Sequence, residues 1–388
     1  MTTRLYYQDA TLLEFEATVL DRADDGRRVY LDRSAFYPTS GGQPNDTGTL
    51  AGIRVLDVVD EEERIAHLLA EPLTTDQVHG QVDRARRRDF MEQHTGQHLL
   101  SAVFEELFGW RTMSVHFTTE SATIDLAAGA ISAGQAQQAE TRANQVVREN
   151  RPVTVTSEDA ATATGLRKGS DRRGMLRIIT IADLDRSACG GTHVGLTGEI
   201  GSIQLRKIEK AKQLIRVEFL CGGRAVTAAR FGYDLLAELA GSRSAAIPDL
   251  PALLEKERGE FKAAGAARRE LEQQVAKYRA AELHAAAVPN SAGVRWLVDR
   301  RSTGGAEALR PLAQAVTQLA RAVLVATVDQ PPTILLASTA DSGVDAGELL
   351  KAGLLEVGGR GGGSPRVAQG SVPDQAALAR LTARLLDG

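Results

Sequence analysis

Two short strings dictate where distant parts of this chain must meet. His94-Thr95-Gly96-Gln97-His98 and Cys189-Gly190-Gly191-Thr192-His193 each place two metal-capable side chains at i and i+4, a spacing that sets them side by side wherever the backbone is helical. Three of the seven histidines and one of the two cysteines fall in these strings. A lone H-x-x-x-H pair is ordinary on an amphipathic helix, but a second pair with complementary donors in so histidine-poor a chain is not. Nitrogen and thiolate donors in a set of four suit tetrahedral Zn(II), whereas Mg(II) and Ca(II) take oxygen. His94, His98, Cys189 and His193 are therefore expected to hold Zn(II). Four protein ligands describe a closed structural site, and a catalytic zinc keeps a position for water or substrate. The donor count alone does not make the chain an enzyme.

At 388 residues with 43% hydrophobic content the chain can bury two or three modest cores, and about three domains are expected. Two cysteines exclude a disulfide framework, and Cys221 reads as a small core residue. The net charge of -4 argues against indiscriminate nucleic-acid binding, so any such contact must use local basic patches. No basic-then-apolar leader follows Met1 and no apolar run is long enough to span a bilayer. A cytoplasmic protein without membrane contact is expected.

From Leu5 to about Gln81, short alternating runs split by turn residues predict strands, with Asp24-Asp25-Gly26 a hairpin signal between Glu16–Leu20 and Arg28–Leu31. The adjacent glycines of Tyr37-Pro38-Thr39-Ser40-Gly41-Gly42-Gln43-Pro44 mark a tight turn whose backbone can approach a ligand. Arg84-Ala85-Arg86-Arg87-Arg88-Asp89 leads into a helix predicted from Phe90 to Phe108. Those arginines suit either nucleic-acid phosphates or a solvated helix start. Strands are expected at Val115–Phe117 and Ala122–Leu126, then a helix to about Asn150 with Ser132 as its N-cap. Pro152–Ser157 and Leu176–Ala182 read as further strands, and the second metal pair enters a loop or a helix start. His116 is either a fifth polar group near the metal or a hydrogen-bonded structural residue. Arg206, Lys207, Lys210, Lys212 and Arg216 form a second basic cluster on a hairpin.

From Leu250 to Ala286 the pattern is a long charged helix. Leu254, Phe261 and Val275, with Ala264, Leu271 and Tyr278, fall at heptad spacing, but Glu257 and Arg268 interrupt the seam. A homodimer through the C-terminal region is one partner this segment offers. Val294–Asp299, Ala322–Val328 and Thr333–Ala337 read as buried strands between helices. Gly358–Gly370 is so rich in glycine that a flexible loop competes with any ordered reading.

The strings themselves carry a resemblance. His94–Ser101, Ala188–Val194, Phe36–Gln43 and Arg216–Phe219 resemble the editing domain of alanyl-tRNA synthetase and, more closely, its free-standing relatives, the AlaX proteins; the likeness runs from about Leu5 to Leu236. The segment Gly358–Gly370 resembles the DHH-associated (DHHA1) signature, although the Asp-His-His string of the DHH phosphoesterases is absent. The resemblance implies an α+β chain: a small β-barrel domain (1–88), a zinc-binding α/β editing domain (89–240), a helical spacer (241–288) and a C-terminal α/β DHHA1-like domain (289–388). It implies a trans-editing hydrolase that deacylates Ser-tRNA(Ala), Gly-tRNA(Ala) or both, with mischarged alanine tRNA as its partner. Thr39, Gln43, His98 and Cys189 are then the expected catalytic residues, with the Thr39 hydroxyl sensing serine and Gln43 orienting substrate. Arg86, Arg87, Arg206, Lys210, Arg360 and Arg366 are the expected tRNA contacts.

Two other readings stay open. One is a non-catalytic tRNA-binding protein with a structural zinc, and the other is a threonyl-tRNA editing relative, which the Gly-Gly-Gln turn and the glycine-rich tail disfavour. Full synthetase activity is not expected, because the resemblance begins almost at Met1. Serine against glycine preference and the role of zinc are not decided by the residues.

Overall fold

The computed structural model describes residues 1–167 and 174–387. The chain divides into two compact units, Met1–Arg243 and Ser244–Gly388.

The first unit begins with β1 (Thr3–Arg4), β2 (Glu14–Ala23), β3 (Arg28–Leu31), β4 (Arg33–Ser34), β5 (Gly48–Leu50), β6 (Ile53–Glu61), β7 (Arg64–Leu69) and β8 (Gln77–Val82). Six of these close into a barrel in the order β2-β3-β7-β6-β5-β8, and β1 pairs in parallel with β4. Period-two alternation is visible in β8, where Val78, Gly80 and Val82 are buried and their neighbours exposed, as a one-sided strand requires. Phe15, Val29, Leu31, Leu50, Val58 and Ile65 fill the interior. The β2–β3 hairpin turns at Asp24, Asp25 and Gly26, all at positive φ.

Helix α1 (Arg84–Phe108) follows at once. It starts at Arg84 rather than at Phe90, because the Asp83 carboxylate accepts from the Ala85 and Arg86 amides and so satisfies the first free donors of the helix. Its middle is buried almost without a break from Gln93 to Phe104. Leu99, Leu100, Val103 and Phe104 share one core with Ile124, Val146, Val217 and Phe219, at about 1.5–3 kcal/mol for each large side chain buried. That core lies among β9 (Thr112–Phe117), β10 (Ala122–Leu126), α2 (Ala133–Glu149), β11 (Val153–Asp159), β12 (Met175–Ile181), β13 (Asp185–Ala188), β14 (Ile203–Ala211) and β15 (Leu214–Cys221). The strands form two antiparallel sheets, β14-β15-β10-β9 and β11-β12-β13. Ser132 caps α2 in a reciprocal box with Gln135, and α3 (Gly222–Gly241) closes the unit.

The second unit carries α4 (Leu250–Ala286), β16 (Arg295–Thr303), α5 (Ala306–Val316), β17 (Ala322–Gln330), β18 (Thr333–Ser338), α6 (Ala346–Glu356), β19 (Arg360–Gly363), β20 (Val367–Ser371) and α7 (Gln375–Asp387). Its five-stranded sheet runs β16-β17-β18-β20-β19. Alternate residues of β17 and β18 feed two cores: Val323, Val325, Ile334 and Leu336 meet Leu350, Leu354 and Leu381, while Leu324, Ala326, Leu335 and Ala337 meet Leu309, Leu312, Ala276 and Ala280. A sheet covered on both faces explains why these strands read as unbroken apolar runs. The end of α4 thus belongs to this core rather than to a free spacer. Its heptad residues Phe261 and Tyr278 are 84% and 79% exposed. The glycine-rich tail is an ordered β19–β20 hairpin and not a loose loop; a Cβ at Gly361 or Gly363 would lie 2.3 Å from a backbone oxygen of β20.

Candidate metal centre

The two strings meet inside the first unit. The donor atoms of His94, His98, Cys189 and His193 all lie within 4.8 Å of one another. His94 and His98 are consecutive turns of α1. Cys189 and His193 are not helical, however: they sit in the irregular loop after β13, which correlates the same i,i+4 spacing with a different backbone. Arg177 shapes that loop, donating from one guanidinium nitrogen to the Cys189 and Gly191 carbonyls, both at 2.9 Å. Gly191 is pressed against the first string, since a Cβ there would lie 2.1 Å from His94 Cε1. Gly96 plays the matching part on α1, where a Cβ would lie 2.2 Å from Cys221 Sγ.

Hydrogen bonds fix how each imidazole faces. The Gln43 side-chain oxygen lies 2.7 Å from His94 Nδ1 and accepts from the Thr192 amide at 3.2 Å, while its nitrogen donates to Thr192 Oγ1 at 2.9 Å. A backbone N–H can only donate, so the amide orientation is settled and His94 Nδ1 must be the donor. Thr95 gives its one hydroxyl hydrogen to Met91 O at 2.8 Å, so toward His193 Nδ1 at 3.2 Å it can only accept. Asp185 Oδ2 accepts from His98 Nδ1 at 2.8 Å. All three rings consequently direct Nε2 inward, and those of His94 and His193 each stand 3.4 Å from Cys189 Sγ. Zn–S of about 2.3 Å and Zn–N of about 2.0–2.1 Å put tetrahedral sulfur and nitrogen donors about 3.6 Å apart. The donor set and its spacing fit Zn(II).

Charge follows the same geometry. Burial alone would push the Cys189 thiol up, but the facing His94 and His193 rings hold it well below its ordinary value. Burial pulls His98 down, yet Asp185 and Cys189 outweigh it and push it up to about 9. His193 is driven down to about 3 by burial and by His94. Asp185, which burial would raise, is held at about 2 by His98 and Arg167. Metal binding at such a set displaces protons.

The other sequence-predicted residues divide sharply. Gln43 is fully buried and its amide is spent on His94 and Thr192, so it orients the His94 ring of the candidate metal set, where substrate orientation was expected. Thr39 is exposed, its hydroxyl accepting from the Asn45 amide at 3.1 Å. Arg87 is a correction: it is 1% exposed, ion-paired to buried Asp46 and bonded to the Ala10 and Ala35 carbonyls, and no phosphate can reach it. Arg86 is half-buried and donates to Asn45 O. Arg206, Lys210, Arg360 and Arg366 are exposed, the last two on the second unit. His116 is exposed and outside the converging donors. Sequence reasoning missed Thr95, Thr192, Asp185 and Arg177; the two threonines lie inside the strings, while nothing in the spacing marks Asp185 or Arg177.

Comparison with known proteins adds the family context. Residues 176–218 match the Threonyl and Alanyl tRNA synthetase second additional domain, and residues 293–387 match the DHHA1 domain. The alanine-tRNA ligase of Methanoregula boonei is 32% identical over 96% of this chain and 42% of its own length. That of Haloquadratum walsbyi is 34% identical over 97% of this chain and 42% of the relative. The alanyl-tRNA editing protein AlaX-L of Pyrococcus horikoshii is 36% identical over 58% of this chain and 60% of the relative. The chain thus spans less than half the length of these ligases.

Proposed function

We propose that this chain, a homologue of the alanine-tRNA ligases and of an AlaX-L editing protein, is a trans-editing hydrolase that deacylates Ser-tRNA(Ala), Gly-tRNA(Ala) or both. The observation that carries the reading is the convergence of the His94, His98 and His193 imidazoles with the Cys189 sulfur, all four donor atoms within 4.8 Å of one another, in a chain of this homology. The physical need for such an enzyme is plain. A pocket that accepts alanine cannot strongly exclude glycine, since one missing methyl is worth only about 1–3 kcal/mol, and the products must be sorted at a second site.

In the reaction, water attacks the ester carbonyl carbon, the bond to the ribose oxygen breaks, and the free amino acid and tRNA hydroxyl leave. When bound, Zn(II) supplies Lewis acidity toward that carbonyl or toward the water. His94, His98, Cys189 and His193 would hold the ion, while Gln43, Asp185 and Thr95 fix the three rings. Cys189 is the one donor of the four that is only half-buried, so substrate approaches from its side. Gly41 and Gly42 keep the Tyr37–Pro44 turn free of Cβ atoms near that approach, and the Thr39 hydroxyl offers serine a hydrogen bond that alanine cannot make. Half-buried Arg86 and exposed Arg206 and Lys210, with Arg360 and Arg366 of the second unit, contact tRNA phosphates.

One observation favours a second reading: four protein donors are the count of a closed structural site, which suits a tRNA binder without hydrolysis. Deacylation of separately prepared Ser-, Gly- and Ala-tRNA(Ala), with zinc-loaded and chelated protein, decides. Hydrolysis of the serine or glycine ester that vanishes on chelation and spares Ala-tRNA(Ala) is expected; tRNA binding without hydrolysis supports the structural zinc.

A further inference from the structure

We infer that Asp185, braced by Arg167, is a positioning residue that commits His98 to the metal. The inference rests on reading His94, His98, Cys189 and His193 as a zinc site. Two of the three imidazoles lean on neutral oxygens, those of Gln43 and Thr95. The third leans on a carboxylate whose side chain has no exposed surface. Burying that charge is costly unless every oxygen is paired, and here every one is. Oδ2 accepts from His98 Nδ1, while Oδ1 accepts from Arg167 Nε at 2.6 Å and from Ser187 Oγ at 2.8 Å. Arg167 is itself held, its amide donating to Arg186 O at 2.8 Å and its guanidinium lying 3.8 Å from Glu105. Glu105 stands on α1, two turns beyond His98, so the brace returns to the helix that carries the ligand.

A carboxylate can only accept, so it forces the proton onto His98 Nδ1 and leaves Nε2 for the metal. Asp185→Asn keeps the shape and removes this logic. The two donors at Oδ1 draw the amide oxygen to themselves, which turns the amide N–H toward His98 Nδ1. That nitrogen must then accept, the ring proton moves to Nε2, and the ligand is lost.

The test measures zinc affinity of the full chain by competition with a chromophoric chelator, together with the Co(II)-substituted absorption spectrum, for wild type, Asp185→Asn and His98→Ala. We expect Asp185→Asn to weaken zinc by about 10- to 100-fold and to shift the Co(II) bands toward those of His98→Ala. Unchanged affinity and spectrum in Asp185→Asn, with His98→Ala impaired, overturn the positioning role alone. Unchanged affinity in His98→Ala overturns the zinc-site reading beneath it. If Asp185→Asn does not fold, long-range proton-nitrogen correlation spectra of the zinc-loaded wild type read the tautomer: a proton on His98 Nδ1 supports the role, and a proton on Nε2 refutes it.

Discussion

The two units bury very different things. The first contains six of the seven histidines and both cysteines, and its central helix carries Gln93, His94, Thr95, Gln97, His98 and Ser101 in the interior. The second buries two strands whose side chains are almost all apolar, and keeps its single histidine, His284, at the surface. Buried polar groups in the first unit are tolerated because each has its partner, and among the described residues no buried side-chain donor or acceptor is left without one. An interior of that kind is shaped by hydrogen bonds and can hold reacting groups in register. An interior like that of the second unit gives a firm scaffold and leaves contacts to the outside, where Arg360 and Arg366 lie. Chemistry in one unit and affinity in the other is the division these interiors suggest.

The strongest blow to that division comes at the donors. Cys189→Ala or His98→Ala should lose zinc and hydrolysis together, with single-turnover deacylation down by about 100-fold or more; full activity in a demonstrably zinc-free variant breaks the assignment. Removing the second unit should act differently. A chain ending at Arg243 should show an apparent KM raised by about 10- to 100-fold, while cleavage at saturating tRNA stays within about threefold, because the second unit contributes effective concentration. Ending the chain at Ala287 instead would strand Ala276 and Ala280 without Leu309 and Leu312, which they pack against. Lost cleavage at saturating tRNA in a folded, zinc-loaded truncation would mean the division is wrong.

Acid should also tell the units apart. His67 is buried in the barrel, bonded to Ser34 Oγ and Val29 O, and burial pulls it from 6.5 down to about 4. The unfolded chain takes up this proton near pH 6.5 and the folded chain only near pH 4, so its effect on stability is absent above pH 6.5 and becomes a loss as pH falls. The loss approaches about 3 kcal/mol near pH 4. Urea unfolding of wild type and His67→Gln between pH 7 and 4.5 measures it, and equal slopes for the two proteins count against a neutral buried ring. The smallest effect expected is at Thr39. Thr39→Val should slow serine-ester hydrolysis about 3- to 10-fold more than glycine-ester hydrolysis, the worth of one hydrogen bond; equal losses show that the hydroxyl does not read the serine side chain.

How far residues alone lead depends on whether a pattern is local. The four candidate ligands are legible because each pair sits within five positions and uses rare residue types. Asp185 is not, since a lone carboxylate before a cysteine looks like any turn residue until β13 and α1 come together. Arg87 misleads for the opposite reason. An arginine run reads as solvated, but the Asp83 cap moves the start of α1 upstream and turns Arg87 inward toward Asp46. The Cys189–His193 spacing imitates a helix, and the Arg177 contacts that replace helical hydrogen bonds come from a strand no local window contains. The barrel strands and β17–β18 were readable because alternation and unbroken apolar runs each record how many faces of a sheet are covered.

The tight seat of Gly96 against Cys221 has a practical consequence. With one thiol sealed behind a helix and fully buried, and the other half-exposed at the mouth of the ligand set, an alkylating reagent meets a single accessible sulfur on the folded chain. A metal held by His94, His98, Cys189 and His193 would shield that sulfur, so the extent of labelling would report occupancy directly. The protein would then carry its own gauge of how much of a preparation is loaded.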